Sequence, residues 1–178
     1  MTNCFKMRPM PDYIFDTTVL SNFASAGRFH LLDRRYRGVA FTTTEVSGEL
    51  RRGVKAGYSF LEPVLHQIEA MASTGWIRIL VPTSADELLL RSQFDQVLDP
   101  GEASCLALAI SRQMTLVTDD LAARRLAENR KVPLSGTLGI LIALVRQDAL
   151  SLKEANVMLA AMIRRHFRSP VDRLDEFI

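Results

Sequence analysis

The feature that most constrains this chain is a recurring unit: a short apolar run, a polar or acidic residue, then a stretch with helical periodicity. "YIF" (13–15) ends at Asp16. It feeds "TTVLSNFASAG", where Val19, Leu20, Phe23 and Ala24 share one helical face and Gly27 marks the stop. "VAFT" (39–42), "WIRILVP" (76–82), "MTLVTDD" (114–120) and "KVPLSG" (131–136) repeat the pattern. These runs are short, rich in β-branched residues and bounded by turn formers, so they read as strands. Strands separated by helices are joined by crossovers, which build a parallel sheet with helices on its faces. The expected class is therefore α/β. In such sheets, sites form outside the carboxyl ends of the strands, where the strand order reverses. Asp16 ends the first strand, and Asp119 and Asp120 end the fourth. If those strands are neighbours, the acids meet at one edge.

The helical stretches carry their own punctuation. "RFHLLDRRYRG" reads as a short helix. "TTTEVSGELRRG" opens another, with Thr42 and Glu45 spaced as a capping box. From Gly53 to Gly75 the pattern is helical and amphipathic, through Phe60, Leu61, Val64, Leu65, Ile68 and Met71. Ser84/Glu87 and Ser151/Glu154 are capping-box pairs at the heads of two later helices. "DPGEASCLALAISRQ", "LAARRLAENR" and "TLGILIALVRQ" complete the set. The chain of 178 residues fits one domain. Residues 1–12 read as a tail, 13–168 as a single domain and 169–178 as a second tail.

Composition excludes several classes. At 48% hydrophobic and 24% charged, the chain can build a core and is not a disordered polymer. A net charge of +2 does not by itself argue for nucleic acid, where a clustered patch matters more. The two cysteines, Cys4 and Cys105, lie in a tail and in an apolar helix, so no disulfide framework is expected. No CxxC occurs, and His30, His66 and His166 are scattered, so no zinc site is expected either. The start has no apolar signal region. The longest uncharged run, "VPLSGTLGILIALV" (132–145), is too short to span a bilayer and holds Pro133, Gly136 and Gly139. The expected setting is cytoplasmic, without a membrane.

Acids at the loop side of this layout form a constellation. Besides Asp16, Asp119 and Asp120, Glu102 follows "DPG" at the mouth of a helix, and Glu49 lies one turn after Glu45. Each has a plainer reading. Asp16 and the twin aspartates suit helix caps, Glu102 suits the positive end of a helix dipole, and Glu49 suits a pair on a solvated face. Brought together, however, like charges need raised pKa values or a cation. A hard divalent ion takes oxygen ligands and keeps several waters, so a few carboxylates suffice. Such a cluster on an α/β edge is a candidate for phosphoryl-transfer chemistry.

The motifs in order resemble those of PIN-domain nucleases, in particular the DUF3368-like, VapC-type subgroup of ribonucleases. "IFDTTVLSNFA" resembles the family's opening motif and "TTTEVSGEL" the second, which maps to Glu49. "LDPGEASCLALAI" resembles the third, mapping to Glu102, and "LVTDDLAARRLAE" the fourth. "VPLSGTLGILIALV" is similar to the segment that follows. The resemblance spans roughly residues 13–147. It implies a three-layer α/β/α fold with a central parallel sheet and a Mg²⁺ or Mn²⁺ site. It implies cleavage of single-stranded RNA by a metal-activated water that displaces the 3′ oxygen. Carried over, the catalytic set is Asp16, Glu49, Glu102, Asp119 and Asp120. Asp16, Glu102 and Asp120 would be metal ligands, with Asp119 as helper. Thr17 or Ser21, and Asn22, would contact substrate; among the flanking basic residues, Arg125 is the candidate for a substrate contact. The resemblance also implies a homodimer and a toxin silenced by a small antitoxin. The added helical stretch at 53–75 and the last helix at 151–168 depart from the compact toxin pattern.

Arg34, Arg35, Arg37, Arg51, Arg52, Lys55, Arg124 and Arg125 flank the acid motifs and could follow a phosphate backbone, or simply solvate helix faces. At most one of Arg124 and Arg125 can face the site. Two rival phosphoryl enzymes fit less well. A dehalogenase-type phosphatase needs an Asp two residues past Asp16, where Thr18 stands. A receiver domain needs its acid pair near the first strand. The remaining alternative is a catalytically silent PIN-like module that binds RNA or protein.

Overall fold

The computed structural model describes residues 11–69 and 75–178. All five runs read as strands are strands: β1 (Tyr13–Phe15), β2 (Ala40–Thr43), β3 (Ile77–Leu80), β4 (Thr115–Val117) and β5 (Leu134–Ser135). They form one parallel sheet in the order β3-β2-β1-β4-β5. Helices α1 (Thr17–Ser25), α2 (His30–Tyr36), α3 (Thr44–Lys55), α4 (Glu62–Glu69), α5 (Ala85–Phe94), α6 (Pro100–Ser111), α7 (Leu121–Asn129), α8 (Thr137–Arg146) and α9 (Leu152–Arg164) pack around it as a three-layer α/β/α fold. β1 is flanked by β2 and β4, with Ile14 opposite Phe41 and Phe15 opposite Val117. The order therefore reverses between β1 and β4, which puts Asp16 beside the end of β4.

The sheet's middle is dry. Ile14, Phe15, Leu116 and Val117 are buried with Phe23, Tyr36 and Leu106. α6 runs through this core: Gly101 and every residue from Ala103 to Ala109 are buried. Its small side chains Ala103, Ser104, Cys105, Ala107 and Ala109 let a helix with no polar face approach the strands closely. Cys105 is an interior residue as expected, with burial pushing its thiol well above the usual range. Cys4 lies outside the described residues.

Two expectations about helix starts and stops are corrected. Thr42 does not cap α3. It sits inside β2 and donates to the Phe15 carbonyl at 2.9 Å, while Thr43 is the cap and accepts from Val46 N at 3.3 Å. Glu45 turns away to Arg91 at 2.6 Å. The capping boxes at Ser84/Glu87 and Ser151/Glu154 are both present. The stretch from Gly53 to Gly75 is not one helix. α3 ends at Lys55, Gly57 takes a φ of +100° that only glycine adopts freely, and a 3-10 turn at Ser59–Leu61 leads into α4. Met71 and the rest of 70–74 lie outside the described residues.

α6, α7, α8 and α9 end without glycine. Gln113, Lys131, Asp148 and His166 hold φ values of 54°, 57°, 55° and 73° just past them. The next backbone N–H in each case reaches back to the third-last helical carbonyl: Met114 to Ala109, Val132 to Ala127, Ala149 to Leu144 and Phe167 to Met162. These are Schellman stops, closed by the apolar residue that follows. Segment 169–178, expected as a tail, runs back over α9. Leu174 is buried and its N–H donates to Asn156 Oδ1 at 2.8 Å. Among the described residues, no helix is long and apolar enough to cross a membrane.

Candidate active site

The site is built on the carboxyl edge where β1 and β4 lie side by side. Asp16 is 1% exposed and caps α1. Its Oδ1 accepts from Thr17 N at 2.6 Å, and its Oδ2 accepts from the Thr18 and Thr118 hydroxyls at 2.9 and 3.0 Å. Asp16 N donates to the Val117 carbonyl at 3.0 Å, which locks the two strand ends together. Burial pushes the Asp16 carboxyl up to about 6 against these hydrogen bonds, with a smaller push from Glu49.

Glu49 arrives from α3. One oxygen accepts from Gly101 N at 2.9 Å and the other from the Thr17 hydroxyl. A Cβ at Gly101 would stand 2.5 Å from Glu49 Oε1, so glycine at the head of α6 is what lets the carboxylate come this close. Glu102, the next residue, accepts from Asp99 N at 3.2 Å and closes the helix start. Burial raises its carboxyl to about 7, followed by the charges of Asp16 and then Asp120. Asp16 and Asp120, from two distant segments, therefore both act on Glu102, and Asp120 lines the same cleft as Glu102.

The twin aspartates divide the work. Asp120 caps α7: its Oδ1 accepts from Ala123 N at 2.7 Å, and its own N–H donates to the Thr118 hydroxyl at 3.1 Å. Asp119 points the other way. It accepts from Thr137 N at 2.9 Å, the Thr137 hydroxyl at 2.5 Å and Asn22 Nδ2 at 3.0 Å. Burial raises its pKa. Asp119 thus clamps the start of α8 to α1.

Three clefts meet at Asp120. One, of about 340 Å³, runs past Glu102 and Asp99. The second, of about 380 Å³, is lined by Thr17, Thr18, Ser21, Asn22, Asp119 and the segment 166–168. The third, of about 610 Å³, lies between α7, α8 and segment 167–170. Thr17, Ser21 and Asn22 therefore line a cleft together with Asp120. Arg125 is exposed on α7 and lines none of these clefts, whereas Arg124 and Arg168 do. Arg124 also ties the strand ends, donating to the Thr118 and Ser135 carbonyls at 2.9 and 3.1 Å. Arg35 and Arg37 are engaged elsewhere, by Gln147 and Asp33.

Several working residues escaped the sequence reading. Thr18, Thr118 and Thr137 supply the hydroxyls that satisfy buried Asp16 and Asp119. All three sat inside quoted motifs, "IFDTTVLSNFA", "MTLVTDD" and "VPLSGTLGILIALV". His166, Phe167 and Arg168 gave no signal, because only the return of α9 brings them to the edge.

A family model for a PIN domain, DUF3368, matches residues 12–178. The chain is a PIN domain. PIN domains are in general nucleases that use divalent metals and act on nucleic acid. The PIN fold is also similar to the crystal structure of PAE2754 from Pyrobaculum aerophilum, at a TM-score of 0.48 and 21% identity, over 79% of this chain and 98% of that one. No curated protein matches the sequence. The donor set at the edge is all carboxylate oxygen, which suits a hard divalent cation. Among the described residues, no three His, Cys, Asp or Glu side chains stand gathered as a ready metal cage. Hydrogen bonds from backbone and hydroxyl groups satisfy the carboxylates separately instead.

Proposed function

We propose that this PIN domain is a Mg²⁺- or Mn²⁺-dependent endoribonuclease acting on single-stranded RNA. The observation that carries the reading is the gathering of acids at the β1/β4 reversal: Asp16 is tied to the end of β4 through the Val117 carbonyl, and Glu102 and Asp120 line one cleft there. These three residues would hold the cation. Bound there, it would supply a water activated at neutral pH and charge neutralisation at the phosphate. Glu49 is the fourth acid, placed beside Asp16 by Gly101 and Thr17. Asp119 acts as a positioning residue that fixes α8 against α1. Thr17, Ser21 and Asn22 present hydroxyl and amide groups along the cleft beside Asp120, where a phosphate backbone would lie.

The test is cleavage of end-labelled single-stranded RNA with Mg²⁺ or Mn²⁺, comparing wild type with Asp16→Asn, Glu102→Gln and Asp120→Asn. Each variant is expected to lose roughly 10²–10³ in rate, the scale for removing a charge-stabilising group, and EDTA to abolish cleavage. Activity that survives EDTA unchanged sinks the reading. A second reading, a silent PIN scaffold that binds RNA or protein, is favoured by the separate hydrogen-bond satisfaction of each acid. It predicts no saturable Mn²⁺ binding that depends on Asp16.

A further inference from the structure

We propose that the cleft between α7, α8 and segment 167–170 holds a nucleobase of the RNA, next to the phosphate at the acid edge, with Phe167 as its stacking platform. The inference rests on the nuclease reading and names a subsite for it. Asp119 and Asp120 line this cleft, so it opens directly onto the acids. Its volume of about 610 Å³ is ample for one nucleotide. Its walls are mixed in the way a base requires. Leu121, Leu138 and Phe167 offer apolar faces, and Ser135 offers a hydroxyl to a base edge.

Two features of the chain bring apolar surface to this cleft. Leu121 is the first residue of α7, directly after Asp120, and stays 69% exposed. A flat apolar ligand laid against this side chain would take its surface out of water. The other is the stop of α9. His166 holds a φ of 73°, which costs a non-glycine residue energy, and this turns the chain so that Phe167 N–H bonds back to Met162 O at 3.0 Å. The turn delivers Phe167 and Arg168 together to two of the three clefts that meet at Asp120. An aromatic ring followed by a guanidinium is the pairing that single-stranded nucleic acid uses, one for a base and one for its phosphate.

The test uses the whole chain. Phe167→Trp places a reporter in the cleft, read against the signal of the buried Trp76. The probes are oligouridylate and oligoadenylate dodecamers, AMP and UMP, with ribose 5-phosphate as the ligand lacking a base. RNA and both nucleotides are expected to quench the new emission, and ribose 5-phosphate is not. In cleavage assays, Phe167→Leu keeps an apolar contact with the core but loses the ring. It is expected to raise KM roughly tenfold with kcat little changed, and Phe167→Tyr to restore it. Unchanged emission at saturating RNA, or a wild-type KM in Phe167→Leu, overturns the subsite. If wild type cleaves no RNA, the nuclease reading fails on its own, and quenching by nucleotide but not by ribose 5-phosphate still supports the base site.

Discussion

Gly101→Ala separates the placement of Glu49 from the stability of the fold. The added Cβ would meet Glu49 Oε1, Oε2 and Cδ at 2.5, 2.7 and 2.8 Å. The backbone of α6 is buried, so the end of the glutamate side chain is what gives way. Glu49 then loses its bonds from Gly101 N–H and the Thr17 hydroxyl. Two hydrogen bonds at about 1 kcal/mol each, with a half-buried carboxylate partly repaid by water, give about 2 kcal/mol. Alanine in place of glycine in the first turn of a helix returns up to about 1 kcal/mol. The net loss is about 1 kcal/mol, a fall in Tm of roughly 2–4 °C for a chain of this size. In a Glu49→Ala background there is nothing to collide with, and the same substitution is expected to stabilise by up to about 1 kcal/mol. A double-mutant cycle by thermal or urea unfolding reads the coupling directly, at about 2 kcal/mol. RNA cleavage by Gly101→Ala should fall with that of Glu49→Ala. A coupling below about 0.5 kcal/mol, or a single-mutant loss above about 3 kcal/mol, would show that the helix yields and not the carboxylate.

The twin aspartates should part company in denaturant titrations. Asp120→Ala removes one helix cap and is expected to cost about 1 kcal/mol. Asp119→Ala strands Thr137 N–H, the Thr137 hydroxyl and Asn22, and is expected to cost about 3 kcal/mol; equal losses would refute the division of labour. Without metal, the raised carboxyls give a pH dependence of definite sign. Asp16 and Glu102 hold their protons more tightly folded than unfolded, so their contribution is complete below about pH 4 and is lost as pH rises through about 6 and 7. Tm in EDTA should therefore fall across that window, and Asp16→Asn with Glu102→Gln should flatten it; a flat wild-type profile counts against the shifts. Glu87 is the opposite case. Arg112 holds it at about 2, so its contribution is lost only as pH falls below about 4.5 toward 2, and Arg112→Ala should remove that acid limb. Lys131→Gly relieves a left-handed residue and is expected to gain about 0.5 kcal/mol by chemical denaturation; a loss would mean that the Lys131 side chain makes a contact of value.

What the sequence determined by itself was the alternation of strands and helices, and with it the class of fold and the edge where chemistry would sit. Period-2 and period-3.6 patterning is a local property, and strand ends are marked by the residues that stop them, so Asp16 and "TDD" were legible as a pair before any fold was known. Helix stops were less legible. Past α6 to α9 the left-handed position is taken by Gln113, Lys131, Asp148 and His166, and tertiary packing of the next apolar residue, not glycine, closes each helix. The partners of each acid were decided only by the tertiary structure. Asp119 and Asp120 are the same residue type side by side in the chain, yet adjacent residues leave a strand end in different directions. One therefore meets Thr137 and Asn22 from segments far away, and the other meets its own helix. Arg125 and Arg124 were likewise inseparable until helix phase sent one to solvent and one to the strand ends. Phe167 and Arg168 lie far beyond all the site acids in sequence. Only the return of α9 and its left-handed stop at His166 carry them to the edge, because a through-space neighbour set by the packing of distant helices leaves no periodic or local mark in the chain.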